Sequence, residues 1–315
     1  MLGVHGAGAP ILRGKTMATQ FKGPLAGFRW LTSGISVGFR HPKPLLGGAA
    51  FLMVACLLPA LITLPMQFHA INVGTPQSPA FFGWIMAISM LLSLLIVPLY
   101  AGYLQMIDAA ERGLPARAQD VFNPYRRGEA WRLIGFGLAM SVVYVALFGA
   151  VIAGTGGGIA NWYMQALTAQ TTHQPPTALP DNFGIAVALL MLLGLFMMGF
   201  YAISFGQVAL GRRGVFGAIG DGIVGALKNL LPLLVFAVSL VLAWTVVAIA
   251  FALVALLVAL LGKLIGPWLI MVLFIPLYVA MALTMFGMMF GVMYYLWRDV
   301  CDDDIVTGVA PATVT

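Results

Sequence analysis

The sequence predicts an all-α polytopic integral membrane protein, with six transmembrane helices and amphipathic helices at the cytoplasmic interface. Three observations lead to this prediction. Hydrophobic residues make up 61% of the 315 residues and charged residues only 8%, whereas a soluble domain carries about 25% charged residues. Six apolar stretches are long enough to cross the roughly 30 Å hydrocarbon core as helices. The basic residues occupy alternate connections between these stretches, as the positive-inside rule describes.

The six predicted spans follow the apolar stretches in chain order. Continuous apolar runs of this length do not alternate in polarity, and only a closed barrel could cross a bilayer as sheet, so strands are excluded. Residues 17–298 are therefore predicted to form one membrane domain. Its spans are predicted at about 45–67, 81–107, 133–156, 183–209, 230–261 and 267–297.

Short amphipathic stretches precede two of these spans. Residues 24–40 and 215–228 each place apolar residues at helical spacing and polar or basic residues on the other side. Helices of this kind lie in the headgroup plane of a membrane. In the second basic connection, Asn123 before Pro124 predicts another helix start, with Asn123 as the N-cap.

Charge asymmetry predicts the orientation of the chain. Of the 16 Lys and Arg residues, the predicted topology places all except Lys263 on one side of the membrane. The positive-inside rule then places both termini in the cytoplasm. Trp residues near the span ends agree with an aromatic belt, whereas Trp244 lies mid-span and is interpreted as a packing residue.

The two ends of the chain are expected to be disordered. Residues 1–16 are rich in Gly and lack the apolar core of a signal peptide, so we expect an extension upstream of a start at Met17. Residues 299–315 contain an acidic run and are expected to form a disordered tail.

Internal similarity suggests three copies of one unit. Residues 34–46 align without gaps on residues 222–234, and residues 100–114 align on 201–215. The unit would consist of an interfacial helix, a span, an outer loop and a second span. Chance is the alternative, because Gly, Leu and Val dominate any bilayer sequence. In the sixth span, Gly287 and Gly291 form a G-x-x-x-G pattern that permits close helix contact, within the bundle or between protomers.

The order of short motifs along residues 24–298 gives a resemblance. These motifs are Gly27-Phe28-Arg29-Trp30, Gly38-Phe39-Arg40-His41-Pro42, Arg112-Gly113, Asp120-Val121-Phe122 and Arg126-Arg127. The chain resembles a family of proteobacterial six-helix inner-membrane proteins known as hypothetical transmembrane proteins. The resemblance implies the fold and an inner-membrane location, and it implies no activity and no catalytic residue.

No catalytic or metal-binding motif is present. The sequence contains no H-E-x-x-H, C-x-x-C or G-x-S-x-G pattern, and no ionisable residue lies deep in a predicted span, where it would mark an ion or proton pathway. Asp108, at the end of the second span, is expected to pair with Arg112 four residues later. We therefore expect neither an enzyme nor a cofactor, and we interpret the basic charge as topology and lipid contact rather than nucleic-acid binding.

Two function classes remain. The first is a non-catalytic structural, assembly or lipid-interacting component of the membrane, with no protein partner indicated. The alternative is a carrier or channel for a hydrophobic or lipid-like solute, which needs a cavity lined by residues such as Tyr100, Tyr201, Ser204 and Gln207. In either case anionic headgroups on the cytoplasmic side are expected to contact a set of basic residues. These are Arg29, Arg40, Lys43, Arg126, Arg127, Arg212 and Arg213.

Overall fold

The structure is a computed structural model, and it describes residues 19–72, 79–155, 158–159, 161–162, 165–166, 179–180, 182–266 and 268–301. These residues form helices and connections, with no strand among them. Six of the helices are long and apolar enough to cross a membrane. The chain is thus an all-α multi-pass membrane protein, and the predicted fold class is confirmed.

The six long helices are α2, α3, α5, α6, α8 and α9, and shorter helices precede three of them. In chain order the elements are α1 (Ala26–Arg40), α2 (Pro42–Asn72), α3 (Pro79–Glu111), a 3₁₀ helix (Ala118–Phe122), α4 (Asn123–Arg126), α5 (Ala130–Gly154), α6 (Phe183–Ala209), α7 (Val215–Lys228), α8 (Leu230–Ile265) and α9 (Trp268–Cys301).

Most helices extend a few residues beyond the apolar stretches that predicted them. The largest consequence is at the C-terminal end, where α9 continues to Cys301, so residues 299–301 are helical and the tail predicted from 299 is wrong at its start. The reason is a tertiary contact, since the Asp299 carboxylate accepts a 2.9 Å hydrogen bond from Trp30 Nε1. Residues 1–16 and 302–315, predicted to be disordered, lie outside the described residues.

The predicted amphipathic helices form, and each docks on the bundle. Trp30 and Val37 on α1 are buried where this helix packs against α8 and α9. On the opposite side Phe28 and Phe39 of α1 are exposed, as is Leu25 directly before it. Large apolar side chains therefore also lie on the outside of this helix, beside polar and basic ones. That both amphipathic helices, α1 and α7, lie at the level of the lipid headgroups stays a prediction. The helix predicted at Asn123 also forms, with Phe122 rather than Asn123 as its N-cap.

The packing of the helices follows a cyclic order of three units. Unit one is α1 to α3, unit two runs from the 3₁₀ helix to α6, and unit three is α7 to α9. Each leading short element packs on the last helix of the preceding unit: α1 on α9, the 3₁₀ helix on α3, and α7 on α6. The first span of each unit also packs on the last helix of the preceding unit: α2 on α9, α5 on α3, and α8 on α6. The three last helices, α3, α6 and α9, contact one another. This order is what three equivalent units in a ring would give, and it favours the repeat over chance.

One end of the bundle gathers the short helices and most of the basic residues, and we call it the basic end. Here side chains cap the C-terminal carbonyls of α6. Arg132 Nη2 donates to the Val208 carbonyl at 3.2 Å, and Gln105 Nε2 donates to the Ala209 carbonyl at 3.0 Å. The last carbonyls of a helix have no partner within the helix, so these bonds fix the end of α6 against α3 and α5.

Candidate functional site

A cavity of about 840 Å³ lies within the bundle, a size typical of small-molecule sites. Its walls come from α1, α3, α5, α6, α8 and α9, and they are almost entirely apolar. The lining includes three tyrosines, one tryptophan, five methionines and Ala282, namely Tyr100, Tyr144, Tyr201, Trp244, Met198, Met285, Met288, Met289, Met293 and Ala282.

The cavity occupies the half of the bundle nearer the basic end. On α8 its lining begins at Phe236, six residues after Leu230, and on α9 it reaches Ala282, 19 residues before Cys301. With a rise of about 1.5 Å per residue, the cavity therefore extends from about 9 Å to about 28 Å from the helix ends. That length is comparable to the half of a bilayer that an acyl chain occupies.

The first span of unit three, α8, differs from the other two first spans in its glycine content. The corresponding first spans of units one and two approach α3 closely through glycine, because a methyl group at Gly48 would lie 2.7 Å from Met106 Cε and one at Gly137 would lie 3.0 Å from Val97 Cγ2. In α8 no glycine occurs between Leu230 and Gly262. Near its start α8 is close to its neighbours, since a methyl group at Gly199 of α6 would lie 2.3 Å from Leu233 Cδ1. The cavity lies further along the helix, where α8 has no glycine.

Three tyrosines bring hydroxyl groups to the apolar wall. The Tyr100 hydroxyl lies 3.2 Å from Cys56 Sγ. Tyr144 stacks on Phe148 and Tyr201 stacks on Phe205, but neither hydroxyl has a hydrogen-bond partner among the described residues. The cavity therefore contains a small polar patch that the protein itself does not fully satisfy.

The remaining wall is adaptable and can be reached from outside the bundle. Five methionines, on α6 and α9, contribute flexible thioether side chains, which adjust to ligands of different shape. Trp244 on α8 and Met289 on α9 line the cavity and have exposed fractions of 47% and 52%. Trp244 was interpreted from sequence as a packing residue, and its side chain instead forms part of an accessible wall.

Two of the four residues predicted to line a cavity do so. Tyr100 and Tyr201 are in the wall, whereas Ser204 and Gln207 are not, and that part of the prediction is wrong. Both are buried, with exposed fractions of 0% and 1%, because they lie on the side of α6 that packs on α7 and the following turn. A methyl group at Gly222 of α7 would lie 1.9 Å from Ser204 Oγ.

The sequence reasoning missed Tyr144 and Trp244. The sequence did contain a signal for both. Tyr and Trp are enriched at the membrane interfaces, so a Tyr or Trp in the middle of a span is unusual and indicates a specific role there. The face of the helix on which each lies could not be decided, because the spans are apolar all round.

The basic residues predicted to contact anionic lipid divide into two groups. Four are exposed and make no ion pair with a described residue, namely Lys43, Arg126, Arg127 and Arg212. Three lie within 4.0 Å of a carboxylate, namely Arg29 of Asp299, Arg40 of Glu111 and Arg213 of Asp221. The first group is exposed for contact with headgroups. The second group is paired within the protein, although the side chains of Arg29 and Arg40 remain 68% and 50% exposed.

The ion pairs at the basic end connect separate helices. The Glu111 side chain, 5% exposed, accepts hydrogen bonds from Arg40 Nη1 at 3.2 Å and from the Tyr295 hydroxyl at 2.5 Å. Burial lowers the pKa of Arg40, but Tyr295 and Glu111 together raise it above its ordinary value. This cluster joins α1, α3 and α9 at one point.

Two further carboxylates hold partners at this end. The predicted pair of Asp108 and Arg112 is confirmed, with Arg112 Nε 2.8 Å from Asp108 Oδ1, and the Tyr294 hydroxyl donates to the same oxygen at 3.1 Å. Burial raises the pKa of the Asp221 carboxyl above its ordinary value, and the neighbouring Arg213 opposes this rise. These groups are structural links between helices and the loop before α7.

Comparisons with known proteins give no relative: no family model matches this chain, and neither a curated protein nor a solved structure matches it. The resemblance to six-helix inner-membrane proteins therefore stays an expectation from the sequence. Among the described residues, no group of three or more His, Cys, Asp or Glu side chains is placed to hold a metal ion. The cavity is thus the feature from which a function can be argued.

Proposed function

We propose that this is a non-catalytic membrane protein that binds a hydrophobic or lipid-like molecule in the cavity and acts as a carrier for it. The observation that supports the proposal is the cavity of about 840 Å³ with its apolar, methionine-rich wall. No Asp, Glu, Lys, Arg or His belongs to that wall, so the site suits an uncharged solute.

The position of the cavity suits a ligand that enters from the bilayer. Trp244 and Met289 are exposed at the wall, and a molecule dissolved in lipid could reach them without crossing water. Transfer of the ligand from the bilayer into the cavity gains no hydrophobic free energy, because lipid tails are as apolar as the cavity wall. Selective binding must come from close packing and from hydrogen bonds that lipid tails cannot offer.

We also propose the cellular setting that the charge pattern favours. The chain would lie in a bacterial inner membrane with the basic end and both termini in the cytoplasm, since Lys and Arg concentrate on that side. The cavity would then open within the cytoplasmic half of the membrane.

A second role is favoured by the outer face of α1 and by the four exposed basic residues that make no ion pair with a described residue. Leu25, directly before α1, and Phe28 and Phe39 of α1 are exposed, an arrangement suited to a helix that rests on a membrane surface. The four exposed basic residues would attract anionic headgroups by about 1 kcal/mol each. This lipid contact would place the protein in its bilayer and is compatible with a carrier.

Binding in the cavity can be measured through the fluorescence of Trp244. Purified protein in detergent would be titrated with the methyl ester of a brominated fatty acid, because bromine quenches indole emission on contact. The contribution of Trp244 is the difference between the native protein and its Trp244→Phe variant. We expect quenching that saturates and that the unbrominated ester reverses by competition.

Two alanines on α9 supply a matched control. Ala282 lines the cavity, whereas Ala280, two residues away, does not line it and is exposed. We expect Ala282→Phe to weaken saturable quenching about tenfold or more, because the ring occupies the site, and Ala280→Phe to leave it unchanged. Quenching that never saturates, or that both variants reduce equally, would contradict the proposed function.

A further inference from the structure

The polar groups of the cavity wall define what kind of lipid-like molecule it accepts, and this inference rests on the proposed function. From the hydrogen-bonding character of the wall we infer that the ligand is a neutral lipid bearing a carbonyl group, which accepts hydrogen bonds from Tyr144 and Tyr201. An ester, a ketone or a quinone has this chemistry, and a plain hydrocarbon lacks it.

The first argument is the balance of donors and acceptors. Tyr144 and Tyr201 each present a hydroxyl without a partner among the described residues, and Trp244 presents an indole N–H, which can only donate. No carboxylate and no amide side chain belongs to the wall. A ligand that accepts hydrogen bonds therefore completes this wall, and one that only donates would find mainly thioether sulfur and tyrosine oxygen.

The second argument is charge. A ligand with an ionised group inside the cavity would need a counter-charge, because an unpaired charge in an apolar surrounding is strongly disfavoured. The wall supplies none. The basic residues lie outside the lining, and five of them are paired with carboxylates, namely Lys22, Arg29, Arg40, Arg112 and Arg213. This excludes a phosphate headgroup at the tyrosines and favours a neutral carbonyl.

The third argument is depth. Tyr201 lies eight residues before the end of α6, and Tyr144 lies 14 residues after the start of α5. At about 1.5 Å per residue they are about 12 Å and about 21 Å from the helix ends. A polar group held there lies well inside the apolar part of the protein. A compact carbonyl can be carried to that depth, whereas a bilayer lipid keeps its large headgroup at the surface.

The test compares two brominated probes of equal chain length, a fatty-acid methyl ester and a bromoalkane. Each is titrated into the native protein and into Tyr144→Phe, Tyr201→Phe and the double variant, with Trp244 quenching as the readout. Phenylalanine keeps the stacked rings, so the fold is preserved, and thermal unfolding of each variant confirms it. Tyr278→Phe is the matched control, because Tyr278 is an exposed tyrosine of α9 outside the wall.

We expect the native protein to bind the ester more tightly than the alkane, and each lost hydroxyl to weaken ester binding about fivefold, the usual net effect of one hydrogen bond. Alkane binding should not change, and Tyr278→Phe should change neither. Equal binding of both probes to the native protein, or an ester preference that survives in the double variant, would overturn the inference while leaving the proposed function supported. Absence of saturable binding by either probe would overturn both.

Discussion

Gly291 of α9 packs directly against the backbone of Gly34 on α1, so that a methyl group at Gly291 would lie 2.7 Å from the Gly34 carbonyl oxygen. The contact decides between two interpretations of the G-x-x-x-G pattern in the sixth span. Gly291 faces α1, and a methyl group at Gly287 would lie 3.5 Å from the Tyr103 hydroxyl on α3. Both glycines therefore serve contacts inside the bundle.

The first prediction concerns this contact. Gly291→Ala should lower the stability of the purified protein by about 1–3 kcal/mol, because the backbone of α1 cannot yield to the added methyl group. Gly135→Ala is the control, since nothing lies within 4 Å of a methyl group at this helical position, and the change should raise stability by up to about 1 kcal/mol through helix propensity. Thermal unfolding in detergent measures both, and equal behaviour of the two variants would show that the close contact is absent.

The second prediction concerns Glu111, which joins three helices through Arg40 and Tyr295. Glu111→Ala leaves the Tyr295 hydroxyl without an acceptor and should cost about 1–3 kcal/mol. Half of the Arg40 side chain is exposed, so solvent screens the ion pair. The stability lost on replacing Glu111 is therefore smaller than the loss expected for a fully buried ion pair. Glu111→Gln keeps an acceptor for Tyr295 and should cost less. Unchanged melting temperatures for both variants would contradict a structural role for this cluster.

Hydropathy and helical periodicity predicted the elements well and the site only partly. The bounds of α6 and α7 agree with residues 183–209 and 215–228, because loss of apolar character coincides with the helix ends there. Asp299 lies beyond the apolar stretch, yet α9 continues through it because Trp30 holds its carboxylate. Contacts of that kind join residues far apart in the chain and leave no local signal.

The cavity shows the same limit. Tyr201 and Ser204 are three residues apart on α6, and only the first faces the cavity. When a helix is apolar on all sides, its sequence does not reveal which side meets α7 and which meets open space. The absence of glycine from most of α8 was visible, but its meaning depends on which helices α8 packs against.

The third prediction tests which basic residues contact anionic lipid and which form ion pairs within the protein. Replacing Lys43, Arg126, Arg127 and Arg212 by Gln should reduce co-purified anionic lipid, because each contributes about 1 kcal/mol of attraction near an anionic leaflet. Stability should hardly change, since these side chains make no ion pair with described residues.

The control for this prediction replaces the engaged residues Arg29, Arg40 and Arg213 by Gln. That variant should lose stability and keep most of its anionic lipid. Lipid content is measured by extraction and chromatography after topology has been verified. If the first variant keeps its topology and its full anionic lipid, the four residues act only during insertion.

The fourth prediction concerns orientation. Reporter fusions at Asp120 and Gly220 should behave as cytoplasmic, and fusions at Gly74 and Gln170 as periplasmic, because the positive-inside rule places the basic connections in the cytoplasm. A fluorescent protein that folds only in the cytoplasm and a phosphatase active only in the periplasm give opposite signals at each site. A cytoplasmic signal at Gly74 or Gln170 would overturn the topology.

The last prediction joins stability to binding in the cavity. Ala282 lines the empty space beside α8, so Ala282→Leu adds apolar atoms where no protein atom lies. Cavity-filling changes commonly add about 0.5–2 kcal/mol of stability, and we expect the ligand-free variant to melt at a higher temperature. The same side chain takes space from the ligand, so saturable quenching of Trp244 by the brominated ester should weaken. Ala280→Leu places the same atoms outside the cavity and should do neither. A variant that gains stability and still binds the ester with native affinity would mean that the ligand does not occupy the space beside Ala282, and that the site must be sought elsewhere in the bundle.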